Sequence, residues 1–207
     1  MARESHGQES DHAHSGHAHS DHAQGPHSHG KRYAAGPERL RSPERLALLE
    51  IPRVVDLCLE GIRAARALDV GTGTGLFAEA FAARGLEATG IDPNPELLEA
   101  ARRLVTGARF EAAAAEKLPF ADKAFDIAML SHVLHETDDP AAALAEARRV
   151  TRLRVCVLEW PYADEDRGPP ISHRLRPSEV EALARRAGFS DVRRTELQHL
   201  QLYLLAP

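Results

Sequence analysis

The hydrophobic pattern of the chain changes character near residue 65. From there, short apolar runs alternate with longer segments in which apolar side chains recur at helical spacing. This alternation is typical of βαβ units and a parallel sheet. The expected strands are Ala67–Val70, Ala88–Ile91, Arg109–Ala112, Phe125–Leu130, Val155–Glu159, Asp191–Glu196 and Leu200–Leu205. The expected helices are Leu76–Arg84, Pro95–Val105, Pro140–Val150 and Pro177–Gly188, and the last two strands resemble an antiparallel ending to the sheet.

The segment before residue 65 lacks this alternation and differs in composition. Residues 1–30 are mainly His, Ser, Gly, Asp and Ala, which bury too little apolar surface to offset the entropy of ordering, so we expect disorder there. Structure is expected to begin near Ser42 and Pro43, because Ser caps helices and Pro fits their first turn. Pro52 is expected to divide the following apolar segment into two short helices.

Composition narrows the class of protein. A chain of 207 residues with 43% hydrophobic content is expected to hold one ordinary domain plus appendages. The formal net charge of -5 argues against nucleic-acid binding. Cys58 and Cys156 are far apart in apolar segments, which gives a disulfide framework no support. No apolar run reaches about 18 residues, so we expect a cytoplasmic protein without membrane insertion.

A glycine-rich turn follows the first expected strand of the sheet and opens a helix. Within Asp69–Gly75, glycine occupies positions 71, 73 and 75. Because glycine has no Cβ, the backbone of such a turn can approach a nucleotide closely. A dinucleotide fingerprint would place its third glycine at position 76, where this chain has Leu76, so the spacing disfavours NAD and FAD.

A carboxylate follows the next strand, in the segment Ile91-Asp92-Pro93. At the end of the neighbouring strand, Asp92 could accept hydrogen bonds from both hydroxyls of a ribose. The alternative is that Asp92 only starts the turn into the helix that Asn94 caps, a common role for Asp. Its position relative to the glycine turn favours the ribose role.

Together these residues resemble class I methyltransferases dependent on S-adenosylmethionine (SAM), in the type 11 group that includes the ubiquinone and menaquinone methyltransferases. The resemblance runs from about Ala65 to Leu205. It implies an α/β, Rossmann-like fold with a mostly parallel seven-stranded sheet, an antiparallel C-terminal strand and helices on both faces. Together with the composition of residues 1–30, it divides the chain into a disordered His-rich tail (1–30), an N-terminal helical cap (31–64) and a SAM-binding methyltransferase domain (65–207).

The resemblance assigns cofactor-binding roles to particular residues. It places the methionine end of SAM near Asp69, above the turn of Gly71, Thr72, Gly73 and Gly75, and the ribose near Asp92 and Pro93. The segment Ala115–Phe120 resembles the family's D-A-E-x-L-P-F loop beside the adenine. Ala114 stands where the family has the acidic residue, so the backbone of Ala115 and Glu116 is expected to contribute more. Ser131 and His132, at the exit of the fourth strand, are expected to face the transferred methyl group.

Two further segments depart from the common pattern of the family. Relatives carry a Pro-Gly-Gly turn before the fifth strand, and the corresponding Thr151–Arg154 is expected to form a shortened surface turn. Trp160, Gly168–Pro170 and Arg174 resemble the W-x(n)-G-P-P-x-x-x-R signature of a narrower branch, whose members also tend to begin with a His-rich segment. That branch does not identify a methyl acceptor.

The acceptor side offers His132 and His135 as candidate catalytic bases, because imidazole titrates near neutral pH. The alternative is that both histidines pack the strand exit, since methyl transfer does not always need a base. A metal site at His132, His135 and Glu136 is disfavoured, because the order H-x-x-H-E does not match the known zinc motifs. The remaining candidates for a lid or acceptor wall are Tyr33, Trp160, Tyr162, Asp164 and His173.

The His-rich tail suggests adventitious binding of Ni, Zn or Cu ions, with His12, His14, His17 and His19 as candidate ligands. A solubilising extension without a selected metal is the alternative. The leading hypothesis is thus a SAM-dependent methyltransferase acting on a small-molecule acceptor. The second is a metal-binding or metal-sensing protein whose SAM-binding domain is not catalytic. Both a monomer and a homodimer fit the sequence.

Overall fold

The computed structural model describes residues 36–207, and its centre is a seven-stranded sheet. The strands are β1 (Arg66–Val70), β2 (Glu87–Asp92), β3 (Ala108–Ala112), β4 (Phe125–Ser131), β5 (Thr151–Glu159), β6 (Asp191–Glu196) and β7 (Gln201–Ala206). All seven expected strands are present. Their ends differ from the expected ones by no more than one residue, except that β5 begins four residues earlier.

The spatial order of the strands is β3-β2-β1-β4-β5-β7-β6. The first five strands in this order pair in parallel, whereas β7 pairs antiparallel with both β5 and β6. This confirms the mostly parallel sheet with an antiparallel C-terminal strand. The chain reverses its direction of winding between β1 and β4, and in open α/β sheets such a switch point is where ligands bind.

Helices cover both faces of the sheet, as expected. They are α1 (Pro37–Leu40), α2 (Pro43–Leu49), α3 (Ile51–Leu59), α4 (Leu76–Ala83), α5 (Pro95–Leu104), α6 (Pro140–Val150) and α7 (Pro177–Arg186). Alternate residues of β4 enter opposite cores: Ile127 and Met129 pack with α3, α4 and α5, and Ala128 and Leu130 pack with α6 and α7. Burial on both faces explains why parallel strands read as continuous apolar runs.

The N-terminal helices follow the local sequence signals closely. The Ser42 side chain accepts a hydrogen bond from the Arg45 amide (3.2 Å) at the start of α2. Glu50, with a left-handed φ of 44°, separates α2 from α3, and Pro52 lies in the first turn of α3. We expected regular structure to begin near Ser42, but one short helix, α1, precedes that residue. No helix in 36–207 is long and apolar enough to cross a membrane.

The predicted surface turn at Thr151–Arg154 is wrong. Helix α6 ends at Val150 and β5 begins at the next residue, so these four residues lie in the sheet. The pairing shifts register between Phe125 and Ile127, which accommodates the early start of the strand. Arg154 also has a specific role, because its Nη1 donates to the carbonyls of Cys58 (2.8 Å) and Glu60 (2.9 Å) at the end of α3.

Candidate active site

The turn between β1 and α4 is shaped by glycines with positive φ. The φ values are 66° at Gly71, 54° at Gly73 and 85° at Gly75, a region that side chains disfavour. A Cβ on Gly71 would lie 2.5 Å from Cγ2 of Val133, so no other residue fits there without movement. Gly75 serves the fold instead: it caps α4, and a Cβ there would press on Phe110 at 3.0 Å.

Asp69 joins this turn to the first turn of α4. Its Oδ2 accepts hydrogen bonds from the Thr72 hydroxyl (2.6 Å) and from the Ala78 amide (3.0 Å). Burial raises the pKa of Asp69 to about 7, although these two hydrogen bonds favour the carboxylate, and the charge of Asp92 adds to the rise. The side chain therefore holds the turn in place and exchanges a proton near neutral pH.

Asp92 lies opposite the glycine turn at the end of β2. Its Oδ2 accepts a hydrogen bond from the Gly73 amide (2.9 Å), and its Oδ1 accepts one from the Asn94 amide (2.8 Å). Burial raises the pKa of Asp92, against the effect of these two amides. The Asn94 side chain caps α5, so Asp92 does begin the turn into that helix. It also lines a cavity, and the two sequence interpretations are compatible.

A cavity of about 460 Å³ opens at the carboxyl ends of β1, β2 and β4. Among the residues assigned to the cofactor from the sequence, its wall includes Asp69, Gly71, Thr72, Gly73, Asp92, Pro93, Ala115, Glu116, Ser131 and His132. Gly75 and His135 do not line it. The volume lies within the roughly 300–1,000 Å³ that is usual for small-molecule sites.

The loop at one end of the cavity is fixed from α6. Ala114, Ala115 and Glu116 contribute to the wall. Just beyond them, the Leu118 amide donates to Oε2 of Glu146 (2.9 Å), and Arg149 donates to the carbonyls of Leu118 (3.1 Å) and Phe120 (2.8 Å). The loop therefore reaches the cavity with its backbone already held in position.

His132 combines a strained backbone with a buried ring. Its φ of 61° is rare for a residue other than glycine, and only 6% of its surface is exposed. Nδ1 lies 3.3 Å from Nη2 of Arg45 and 3.1 Å from Oγ of Ser131. Burial, with the positive charges of Arg45 and His135, holds the pKa of His132 well below its ordinary value. Because a guanidinium only donates, the neutral ring carries its proton on Nε2.

His135 points to a different part of the molecule. Its Nδ1 lies 2.7 Å from Oε2 of Glu159, a buried residue on β5, and its Nε2 lies 3.8 Å from Oε1 of Glu136. Burial opposes protonation of the ring, but the charge and hydrogen bond of Glu159 and the charge of Glu136 outweigh it and raise the pKa of His135. The ring stands behind the wall, while Glu136 is on it.

The segment after β5 supports His132 from behind. Trp160 is buried, and its ring centroid lies 5.1 Å from that of His132. Arg174 stacks on Trp160 at 5.3 Å and donates to the carbonyls of Pro169 (2.9 Å), Pro161 (3.0 Å) and Arg167. Among the residues proposed as an acceptor wall, Trp160, Tyr162, Asp164 and His173 do not line the cavity. The W…GPP…R signature corresponds to this folded loop.

The N-terminal helices close the other side. Leu40, Arg45 and Leu49 line the cavity, and the Leu40 Cδ1 atom lies 3.1 Å from where a Cβ on Gly73 would be. Arg41 donates to the Thr74 carbonyl (2.9 Å) and pairs with Glu79 of α4. These contacts fix α1 and α2 over the glycine turn.

Several wall residues were missed in the sequence. Leu40, Arg45 and Leu49 belong to helices whose place over the sheet no local pattern reveals, and Thr137 follows an irregular strand exit. Glu136 was considered only as a metal ligand. For Glu136 a usable signal existed, because it follows a strand of the predicted sheet at the carboxyl edge.

The metal hypotheses receive no support from the described chain. Residues 36–207 contain no group of three or more His, Cys, Asp and Glu side chains that could hold a metal ion. His132, His135 and Glu136 therefore do not form a metal site in the described chain. The candidate tail ligands His12, His14, His17 and His19, together with Tyr33, lie outside the described residues.

Comparisons with known proteins find similarity to methyltransferases. Residues 68–154 match the family model described as a methyltransferase domain. An uncharacterized methyltransferase from Mycobacterium sp. (strain JLS) is 42% identical over 85 residues, which are 41% of this chain and 34% of the relative. A demethylmenaquinone methyltransferase from Renibacterium salmoninarum is 39% identical over 87 residues, 42% of this chain and 37% of the relative. The chain thus matches only about a third of the length of these relatives.

A solved structure extends the likeness to the whole fold. A SAM-dependent methyltransferase from Aquifex aeolicus superposes with a TM-score of 0.73 at 22% identity, covering 82% of this chain and 95% of the other. At this identity the similarity establishes the fold alone. The central segment of the chain thus matches a methyltransferase domain, and the described chain has the fold of a known SAM-dependent methyltransferase.

Proposed function

We propose that the chain is a SAM-dependent methyltransferase that transfers a methyl group to a small-molecule acceptor. The observation that carries the proposal is the pairing of the glycine turn with Asp92 across one cavity at the switch point of the sheet. Gly71 and Gly73 line the cavity without side chains, and a Cβ on either would press against another wall residue, Val133 or Leu40. The donor set fits an adenosyl cofactor, which offers ribose hydroxyls to a carboxylate.

In this proposal, each part of the wall has a task. Asp92, held by the amides of Gly73 and Asn94, keeps further lone pairs for the ribose hydroxyls. The backbone of Ala115 and Glu116 would border the adenine, and Asp69 would lie near the methionine end of the cofactor. When bound, SAM supplies a methyl group activated on a sulfonium. The protein then chiefly orients the acceptor and excludes water, which α1 and α2 favour by covering the cavity.

The cofactor proposal is tested by ligand-induced stabilisation. Millimolar SAM or its demethylated product should raise the Tm of the wild type, because a ligand that binds only the folded state stabilises it. Asp92→Asn should weaken binding about 10- to 100-fold, since a hydrogen bond to a charged group contributes roughly 1.5–3 kcal/mol. The matched control is Asp191→Asn, which changes an exposed carboxylate at the start of β6.

The outcomes separate the cofactors. A wild type whose Tm is unmoved by both ligands refutes the proposal, and a fluorescence change of NADH on mixing would favour an oxidoreductase instead. Equal SAM affinity in wild type and Asp92→Asn would mean that Asp92 does not bind the ribose and that SAM binds at another site.

A further inference from the structure

The exit of β4 brings two histidines and one carboxylate close to the cavity, and their geometry separates their roles. His132 lines the cavity, but both its ring nitrogens are engaged or enclosed. Nδ1 faces the guanidinium of Arg45, and Nε2 is buried without a hydrogen-bond partner among the described residues. A proton from an acceptor has no open nitrogen to reach on this ring.

His135 is equally unsuited to direct contact. It lies behind the wall, with Nδ1 bonded to Glu159 and Nε2 directed toward Glu136. Glu159 is 2% exposed, so His135 and Glu159 form a buried pair. The Glu136 side chain is 29% exposed and lines the cavity, with a carboxylate oxygen 3.8 Å from the imidazole. Glu136 lines the cavity where an acceptor would lie, whereas His135 and Glu159 do not.

We infer that Glu136 is the catalytic base that takes the proton from the methyl acceptor, and that His135 and Glu159 are positioning residues that hold it by charge. The inference rests on the proposed methyltransferase function. In the step it describes, the X–H bond of the acceptor breaks and its proton forms an O–H bond with Glu136. The electron pair stays on X, and X is thereby the nucleophile that takes the methyl group.

This assignment restricts the class of acceptor. A base is needed for acceptors whose nucleophilic atom carries a proton at working pH, such as alcohols, phenols and thiols. Carboxylates and other groups that are already ionised need none. We therefore assign the cavity to acceptors bearing a neutral O–H or S–H group.

The charges around His135 support the arrangement. Glu159 from β5 and Glu136 from its own segment favour the imidazolium, whereas burial and Arg45 from α2 oppose it; the neutral His132 ring lies 6.2 Å away. The net effect raises the pKa of His135. The imidazolium places a positive charge 3.8 Å from a carboxylate oxygen of Glu136, and this attraction holds the carboxylate at the cavity wall.

The first test measures the electrostatic interaction between His135 and Glu136 and needs no enzymatic turnover. The imidazole of His135 is titrated by NMR in the full chain, with His135→Gln used to assign its signals. Glu136→Gln should lower the pKa of His135, because an opposite charge 3.8 Å from its Nε2 is removed. Glu99→Gln, on an exposed carboxylate of α5, is the control and should leave it unchanged. An unmoved titration in Glu136→Gln would overturn the inference.

The second test measures the proton transfer. Transfer from methyl-labelled SAM is followed with phenol and an alkyl thiol, which are neutral near pH 7, and with 4-nitrophenol and thiophenol, which ionise more readily. Glu136→Gln should slow methylation of the first pair about 100-fold and that of the second pair much less. SAM affinity is measured in each variant, so that a cofactor defect is seen separately.

Three results would contradict the inference. They are an equal loss with both pairs of acceptors, no loss with either pair, and a wild type that binds SAM but methylates none of the four. A wild type that does not bind SAM would instead refute the proposed function itself.

Discussion

At the scale of single residues, the cavity wall concentrates groups whose protonation differs from that in water. His132 is kept neutral by burial and by Arg45, while Asp69 keeps its proton until the pH reaches about 7. The backbone of His132 is also strained, because its φ lies in the left-handed region. Such strain persists only where the surrounding structure enforces it. Here Trp160 on one side and Arg45 on the other enclose the ring.

Asp69 gives a prediction about proton release. At pH 6.5, below its pKa of about 7, most Asp69 side chains in the free protein are protonated. A ligand with a sulfonium and an ammonium favours the carboxylate, so SAM binding should release a fraction of a proton. Calorimetry in two buffers of different ionisation enthalpy measures this number. Asp69→Asn should abolish the release and Asp191→Asn should not; release that persists in Asp69→Asn would exclude Asp69 as its source.

The same group sets a pH dependence of folding. Its pKa rises from 3.8 to about 7 on folding, so the native state binds more protons than the unfolded state between these values. The contribution of Asp69 to the free energy of unfolding is therefore present at low pH and is lost as the pH rises from about 4 to about 7. This sign is opposite to that of a carboxylate in an ion pair.

At the scale of elements, the loop between β5 and α7 is built around one aromatic ring. Gly168 has a φ of 80°, and a Cβ there would lie 2.8 Å from the Trp160 ring. Arg174 covers the same ring while it donates to three backbone carbonyls. Because Trp160 packs against His132, the conformation of this loop also affects the position of the His132 ring.

Gly168→Ala should destabilise the protein through a clash with Trp160 as well as through backbone strain. Gly85→Ala is the matched control, because Gly85 has a φ of 83° but nothing within 4 Å of an added Cβ. Gly168→Ala should cost about 1–3 kcal/mol more in urea unfolding, the usual cost of overpacking. Trp160 is the one tryptophan of the chain, and its emission should shift to the red in Gly168→Ala alone. Equal losses in the two variants would mean that the ring adjusts freely.

The elements themselves followed from the sequence more readily than the site did. Burial on both faces makes the strands continuous apolar runs, and Ser42, Asn94 and Pro140 mark helix starts through local chemistry. Asp69 and Asp92 were predictable because strand ends of a parallel sheet meet at one edge. Arg45 was not, since only tertiary packing brings α2 above His132. The same limit applies to His135, whose ring direction depends on Glu159, a partner 24 residues away.

At the scale of the whole molecule, all of the cavity wall comes from residues 40–137 of the described chain. The C-terminal third contributes from behind, through Glu159, Trp160 and Arg174. Different strands therefore have different roles. The carboxyl ends of β1, β2 and β4 form the cavity wall, whereas β5 and the loop after it hold the segment that follows β4 in position.

This division predicts that the His-rich tail can be removed without loss of the cofactor site. A variant lacking residues 1–30 should show the same SAM-induced rise in Tm as the full chain, because residues 40–137 already form the cavity wall within the described part of the chain. Its uptake of Ni²⁺, measured by equilibrium dialysis, should fall sharply, since eight of the twelve histidines are removed. Full-length protein with EDTA controls for metal in the Tm measurement. If truncation abolished the SAM effect, the tail would have to contribute to the cofactor site, and the wall described above would be incomplete.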